Sequence, residues 1–311
     1  MGGDAGVAAA TTVESKEWYL AAYAPQNIPT SEHIKLRTVN VSLEYDSIPD
    51  QHVLFQLLMI TVDPYLRNVI TGRDGDLYLP QILLNKMYLL FQFEIFELTS
   101  FGLPGFTAWI GIDVIGNPAP GSNVFISAAA GGVGMFAGQF AKLKGCRVVG
   151  STGSDEKVQI LKDEFGYDEA FNYRKESDFN AALAKYFPNG IDLYLDNVGG
   201  KMLEAVLNHV NKGARIAITG MMSQYNTIPA EREGVNSLLN MVGKEVKMEG
   251  FLCGSYLNRF GEFETLMETY LKEEKIKSKH KIYQGIESFL ESFASVFSSS
   301  NMGKVILQVA S

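Results

Sequence analysis

Cysteine, histidine and basic charge are all scarce in this chain, and each shortage removes a class of function. The two cysteines, Cys146 and Cys253, lie far apart and form no C-x-x-C pair. Neither a disulfide framework nor a cysteine-built zinc site is expected, and a reducing compartment fits. The four histidines (His33, His52, His209 and His280) show no H-x-x-x-H spacing, which leaves a zinc hydrolase without ligands. Lys and Arg number 27 against 35 Asp and Glu, for a net charge of −8. That balance argues against nucleic acid or an anionic membrane as the main partner. No leader is legible either: MGGDAGVAAATTVESKEW lacks a basic n-region, a long apolar core and Arg enrichment. Gly6 stands where a myristoylation signal needs Ser or Thr. The segment reads as a disordered tail on a cytoplasmic protein. The longest apolar run, ILLNKMYLLFQFEIFEL (82–98), is broken by Lys86, Glu94 and Glu97, so no membrane span is expected.

What is present is a globular composition, 46% hydrophobic and 20% charged, over 311 residues. That length suits one large or two medium domains. From residue 123 the pattern is regular. NVFISAA, RVVGSTG, EAFNY, IDLYLDNV, ARIAITG and VKMEGFLC read as strands, and GVGMFAGQFAKLKG, SDEKVQILKDEFG, DFNAALAKYF, KMLEAVLNHV and VNSLLNMVGK read as helices between them. Such alternation predicts an α/β fold, a doubly wound parallel sheet with helices on both faces. The first hundred residues, with LRTVNVSL and HVLFQLLMITVDPYL, read as a separate, mostly β unit. After the sheet come two helical stretches, FGEFETLMETYLKEEKI and GIESFLESFASVF, and a last strand, GKVILQV. The two ends of the chain are therefore expected to share one domain.

AAAGGVG (128–134) follows a predicted strand and opens a predicted helix, the context in which a glycine loop binds a nucleotide. Backbone amides at a helix start suit a pyrophosphate. Gly131, Gly134 and Gly138 keep one helix face close to the sheet; packing alone would also explain them. An NAD site carries Asp or Glu about 20 residues beyond the loop. Here the second strand ends in Ser151 and Thr152, and Lys157 follows one turn later. That favours NADP(H), with Lys157 as a point charge for a 2′-phosphate. An ordinary solvated lysine, with Asp155 and Glu156 beside it, is the competing reading.

No tyrosine is followed by Lys four residues on, so the Y-x-x-x-K pair of a short-chain dehydrogenase is missing. The Cys, His and Glu ligands of a zinc alcohol dehydrogenase are missing too. The strand ends carry DNVGG (196–200), TGMMSQYN (219–226) and GFLC (250–253) instead. Ligands bind beyond the carboxyl ends of strands in an open α/β sheet, so these loops are expected to converge on a nicotinamide.

From about Phe101 to Val309 the sequence resembles the zinc-independent medium-chain reductases that saturate enals and enones with NADPH. The plant alkenal double-bond reductases and prostaglandin reductases are the likeness. LPGFTAW, SAAAGGVG, KLKGCRVVGSTGS, FGYDEAFNYR, YFPNGIDLYLDNVGG, TGMMSQYN, GFL and NMGKVILQV carry it, and VDPYLR resembles the family's D-P-Y-M-R segment. The resemblance implies a Rossmann NADP-binding domain over 101–268 and a GroES-like, mostly β catalytic domain built from 1–100 and 269–311. It implies a homodimer, NADPH as cofactor and no metal. By matching position, Ala129, Gly131, Gly132, Val133 and Gly134 form the pyrophosphate loop, and Gly153, Lys157 and Tyr173 lie at the 2′-phosphate and its ribose. Asn197 is on the ribose or nicotinamide side. Thr219, Ser223, Tyr225, Phe251, Leu252 and Cys253 border the nicotinamide, with Tyr65 near the cofactor and Asn301 reaching it from the C-terminal piece. Hydride then goes to the β-carbon of an α,β-unsaturated carbonyl, and a donor at the carbonyl oxygen stabilises the developing charge. Tyr225 is the candidate donor; a turn aromatic packed on the cofactor is its alternative role.

The chain departs from the family between GRDGDLYLPQ and FGLPGFTAW, where the intervening segment is short and nearly glycine-free. A shortened product, a misjoined gene and loops closed up in the numbering would each explain it. A β domain lacking strands would expose edges and part of the 82–98 run. Two other functions therefore stay open: a quinone reductase of the same superfamily, and a catalytically weak NADP-binding protein.

Overall fold

The computed structural model describes residues 12–47, 57–73, 80–86 and 102–310. Most of the irregular 73–100 stretch, and of the 82–98 run, lies outside the described residues. Of that run Ile82 is buried, whereas Leu83 and Leu84 are exposed.

Strands β1 (Thr12–Leu20) and β2 (Ile34–Ser42) form an antiparallel pair. Strand β3 (Met59–Val62) leads into a 3-10 stretch, Pro64–Ile70, where the sequence pattern had suggested continued strand. Pro64 accounts for the change, because it donates nothing to a ladder and sits comfortably in a first helical turn. Helix α1 (Leu103–Trp109) continues as a π-helical segment, Ile110–Gly116.

Next come β4 (Asn123–Ile126), α2 (Gly132–Leu143), β5 (Arg147–Thr152), α3 (Asp155–Asp163), β6 (Glu169–Asn172) and α4 (Phe179–Tyr186). The series continues with β7 (Ile191–Asp196), α5 (Gly200–His209), β8 (Val210–Ile218), α6 (Leu239–Gly243) and β9 (Lys247–Gly250). The six strands β4 to β9 form one parallel sheet in the order β6-β5-β4-β7-β8-β9. This is the doubly wound Rossmann order, with its switch point between β4 and β7.

Alternation along the strands builds two cores. Val124, Ile126, Leu193 and Leu195 face one side, with Phe136, Phe140 and Trp109. Phe125, Val149 and Tyr194 face the other, with Leu203 and Val206. Near-continuous apolar runs in the central strands follow from burial on both faces.

Helix α7 (Phe260–Lys272) crosses residue 269 and places Phe263 and Met267 in the first of these cores. The chain then forms β10 (His280–Gln284), α8 (Phe289–Ser298) and β11 (Lys304–Gln308). Strand β11 pairs with β10 in parallel and with β3 antiparallel, Leu307 opposite Ile60. A third core joins Trp18, Leu20 and Ile60 to Phe289, Phe293 and Leu307, so both ends of the chain share one β-rich unit.

Candidate active site

The glycine loop turns sharply between β4 and α2. Ala128 takes φ = +48°, the left-handed region where glycine is the usual occupant. Gly134 permits the close packing that follows: a Cβ there would lie 2.5 Å from the Ala128 carbonyl oxygen. Gly131 caps α2 without a side-chain partner, leaving the amides at the helix start directed at a groove of about 520 Å³. Such amides and the helix dipole suit an anion.

This groove follows the carboxyl ends of β5, β4 and β7. Gly131, Gly132, Val133, Gly134, Gly153, Lys157, Tyr173, Asn197, Ser223 and Asn301 all line it. Ala129 does not; it is fully buried behind the loop. A second cavity of about 720 Å³ holds Thr219, Tyr225, Phe251 and Leu252. The turn after β8 is the partition: Met222 and Ser223 line the first cavity, Met221, Gln224 and Tyr225 the second, and Glu233 touches both. Tyr65 is half-buried against the β-rich core and Cys253 against the α7 side of the sheet. Neither lines either of these two cavities, though Pro64 lines the first and Asn68 the second.

At the β5 end, Lys157 is buried and its Nζ donates to the Ser299 carbonyl at 2.7 Å. Burial, and secondarily the nearby Arg174 charge, holds its pKa below the ordinary lysine value. Asp155 is engaged elsewhere, in an ion pair with Lys175 and a hydrogen bond from Asn172. Ser151, also buried at the strand end, lines the groove with a hydroxyl that has no protein partner. An orphan hydroxyl, a glycine cradle and a nearby lysine together fit the ribose and phosphates of a dinucleotide.

Beneath Asn197 lies a polar hub that the sequence reading missed. Asp196 is fully buried, and its Oδ1 accepts from the Val198 and Gly199 N–H groups, both at 2.8 Å, and from the Tyr194 hydroxyl at 2.7 Å. Ser127 Oγ accepts from the Asn197 N–H at 3.0 Å, and the Asn197 Nδ2 donates to the Ser127 carbonyl at 2.7 Å. These bonds orient the Asn197 amide and tie the ends of β4 and β7 together. Burial raises the Asp196 pKa against the opposing hydrogen bonds. The sequence signal was available: polar Ser127, Tyr194 and Asp196 interrupt otherwise apolar strands.

On the β8 side, Tyr225 Oη accepts from the Met221 N–H at 3.2 Å. Asn226 beside it accepts from the fully buried Arg67 Nε at 3.0 Å, and Arg67 also donates to the Asn27 carbonyl. The turn is thereby clasped to the β-rich unit. Across the groove, Gly303 N donates to the Ala130 carbonyl at 2.8 Å, laying the segment before β11 along the glycine loop. Lys304 is buried there, ion-paired with Asp63, its stem 3.4 Å from where a Cβ on Gly132 would be.

A family model described as zinc-binding dehydrogenase matches residues 132–272. An NADP(+)-dependent 2-alkenal reductase of Nicotiana tabacum is 46% identical over 209 residues, 67% of this chain but only 60% of that protein. A putative NADP-dependent oxidoreductase of Bacillus subtilis, YfmJ, is 31% identical over 338 aligned residues, covering 95% of this chain and 98% of the relative. The chain is a medium-chain dehydrogenase/reductase. The solved structure of CurA from Vibrio vulnificus in complex with NADPH agrees with this family member at TM-score 0.84 and 30% identity, over 96% of this chain and 100% of that one. The YfmJ alignment is longer than the 311 residues of this chain, so the relative has residues with no counterpart in this family member. Among the described residues no three His, Cys, Asp or Glu side chains group as metal ligands, and no helix is long and apolar enough to cross a membrane.

Proposed function

We propose that this chain is an NADPH-dependent reductase of the C=C bond in α,β-unsaturated aldehydes and ketones. The observation that carries the reading is the placement of Lys157 and Tyr173, the glycine loop, Asn197 and the Thr219–Tyr225 turn in sequence along the strand ends. That run has the polarity of a dinucleotide: phosphate-binding groups at one end and an aromatic, apolar cavity at the other. The tobacco 2-alkenal reductase and the NADPH complex of CurA support it.

In this reading the amides of Gly131 to Gly134, with Ala129 behind them, receive the pyrophosphate. Gly153, Lys157 and Tyr173 receive the ribose and its 2′-phosphate. Asn197, whose Nδ2 is committed to Ser127, offers its Oδ1 as an acceptor. Thr219, Ser223, Phe251 and Leu252 border the nicotinamide with Cys253 behind them, and Asn301 closes from the β-rich unit with Tyr65 behind Pro64. Bound there, NADPH supplies a hydride to the substrate β-carbon. Tyr225, whose oxygen already accepts the Met221 N–H, donates its own proton in a hydrogen bond to the carbonyl oxygen where charge collects. Water delivers the proton to the α-carbon. The reading includes a zinc-independent, cytoplasmic homodimer. The edge strand β9, last in the sheet among the described residues, and the exposed Leu239 and Val242 of α6 are the surfaces for that contact.

Steady-state NADPH consumption with a short enal tests the reading. Tyr225→Phe is expected to lower kcat about 100-fold, within the range for removing one transition-state donor, with NADPH affinity nearly unchanged. Undiminished kcat would remove Tyr225 from this role, and NADPH binding without turnover of any enal would leave only a nucleotide-binding protein.

A further inference from the structure

At the β5 end of the groove, three side chains reach across to the C-terminal turn of α8. Lys157 Nζ donates to the Ser299 carbonyl at 2.7 Å, and Arg174 Nη2 donates to the Ser298 carbonyl at 2.9 Å. The Tyr173 hydroxyl lies 3.0 Å from Ser299 Oγ. Ser299 sits in the left-handed region at φ = +56°, and its Cβ is 2.9 Å from where a Cβ on Gly153 would be. Two cations therefore converge on adjacent carbonyls at the negative end of a helix, with a phenol at the Ser299 hydroxyl beside them. Among the acidic residues nearby, Asp155 is held by Lys175, and Glu156 is a minor influence on Lys157. The arrangement resembles the pattern an anion presents, several acceptor oxygens in one place, with backbone carbonyls supplying it.

We propose that Arg174 is a second cation of the 2′-phosphate seat, resting on the Ser298 carbonyl until a phosphate takes its guanidinium. The inference rests on the NADPH reading above. A carbonyl carries a partial charge, whereas a phosphate monoester approaches two full negative charges. Exchange of one for the other is favourable for a guanidinium, which matches phosphate oxygens in a fork that an ammonium cannot offer. It also relieves the repulsion between Arg174 and Lys157, which the carbonyls only partly offset. Arg174 is solvent-exposed, so the move requires no repacking of the core. Arg174 is thereby a determinant of NADPH over NADH.

Calorimetric titration of the full chain with NADPH, NADH and adenosine 2′,5′-bisphosphate tests this. Arg174→Gln is expected to weaken NADPH and the bisphosphate about tenfold and to leave NADH unchanged. Arg174→Lys should recover part of the loss, and the salt dependence of NADPH binding should flatten in Arg174→Gln. Equal weakening of NADPH and NADH would overturn the inference, since it is what loss of a helix cap produces. Wild type that prefers NADPH, with Arg174→Gln keeping the full preference, would overturn this inference alone. Wild type that binds NADH as tightly as NADPH would overturn the cofactor reading beneath it as well.

Discussion

Ala128 occupies the place of the glycine that a nucleotide loop usually begins with, and its positive φ shows that the substitution has a cost. A Cβ in the left-handed region costs about 1–2 kcal/mol, of which glycine's greater freedom in the unfolded chain returns roughly 0.5–1. Ala128→Gly is therefore expected to gain about 0.5–1 kcal/mol, the difference of those two terms. Urea denaturation reads it as a higher midpoint with an unchanged slope; a lower midpoint would mean that the methyl group packs usefully. At this scale the sequence was informative wherever one residue's geometry is local. Gly134 and Gly138 declared close packing, and a Cβ on Gly138 would indeed lie 2.1 Å from the Tyr167 ring. Ser298 and Arg174 were not legible, because no local pattern relates residues 124 positions apart that meet only after the sheet and α8 are built.

Among elements, the strand–helix alternation was readable because central parallel strands are apolar throughout and their helices keep one apolar face. The hub of Ser127, Tyr194 and Asp196 escaped notice for the same reason: three polar residues look like ordinary interruptions until the register of β4 and β7 brings them together. Asp196→Ala would leave the Val198 and Gly199 N–H groups without their acceptor, while the Tyr194 hydroxyl keeps Ser127 Oγ at 3.0 Å. With two such groups at about 1–3 kcal/mol each, a loss of at least about 2 kcal/mol is expected. Asp196→Asn keeps the accepting oxygen and should lose much less, and the comparison is made by thermal or urea melting. The pH dependence adds a sign. Burial raises the Asp196 pKa in the folded state above its unfolded value. Its contribution to stability is therefore fully present below the unfolded carboxyl range and is lost as pH rises through the folded value. Asp196→Asn should flatten the stability profile over that window.

For the whole molecule, polar contacts such as Arg67 to Asn226 and Gly303 to Ala130 join the β-rich unit to the Rossmann sheet, and Lys304 packs beside the second of them. Its ammonium pairs with Asp63 while its stem lies over the start of α2. Lys304→Met keeps the stem and leaves the half-buried Asp63 carboxylate with the Thr61 hydroxyl, which is expected to cost about 1.5–3 kcal/mol, the range for a hydrogen bond to a charged group. Adding Asp63→Asn should return most of that loss in a urea melt; no recovery would mean that packing, not charge, is what Lys304 contributes. The sequence indicated that the chain ends share a domain. The resemblance placed Asn301 at the cofactor, but no pattern indicated that Lys304 and Val305 of the last strand also wall the groove, since that depends on the bridge between Gly131 and Gly303.

That bridge bears on how the two halves can be recombined. A chimaera that exchanges the nucleotide-binding half cannot be cut at a single boundary. The stretch from Ser299 to Lys304 lies far downstream in the chain, yet it forms one side of the cradle and touches Lys157. A graft intended to change cofactor preference must therefore carry two separate stretches of coding sequence. One taken from the sheet alone would inherit a seat with its lid fitted to another protein.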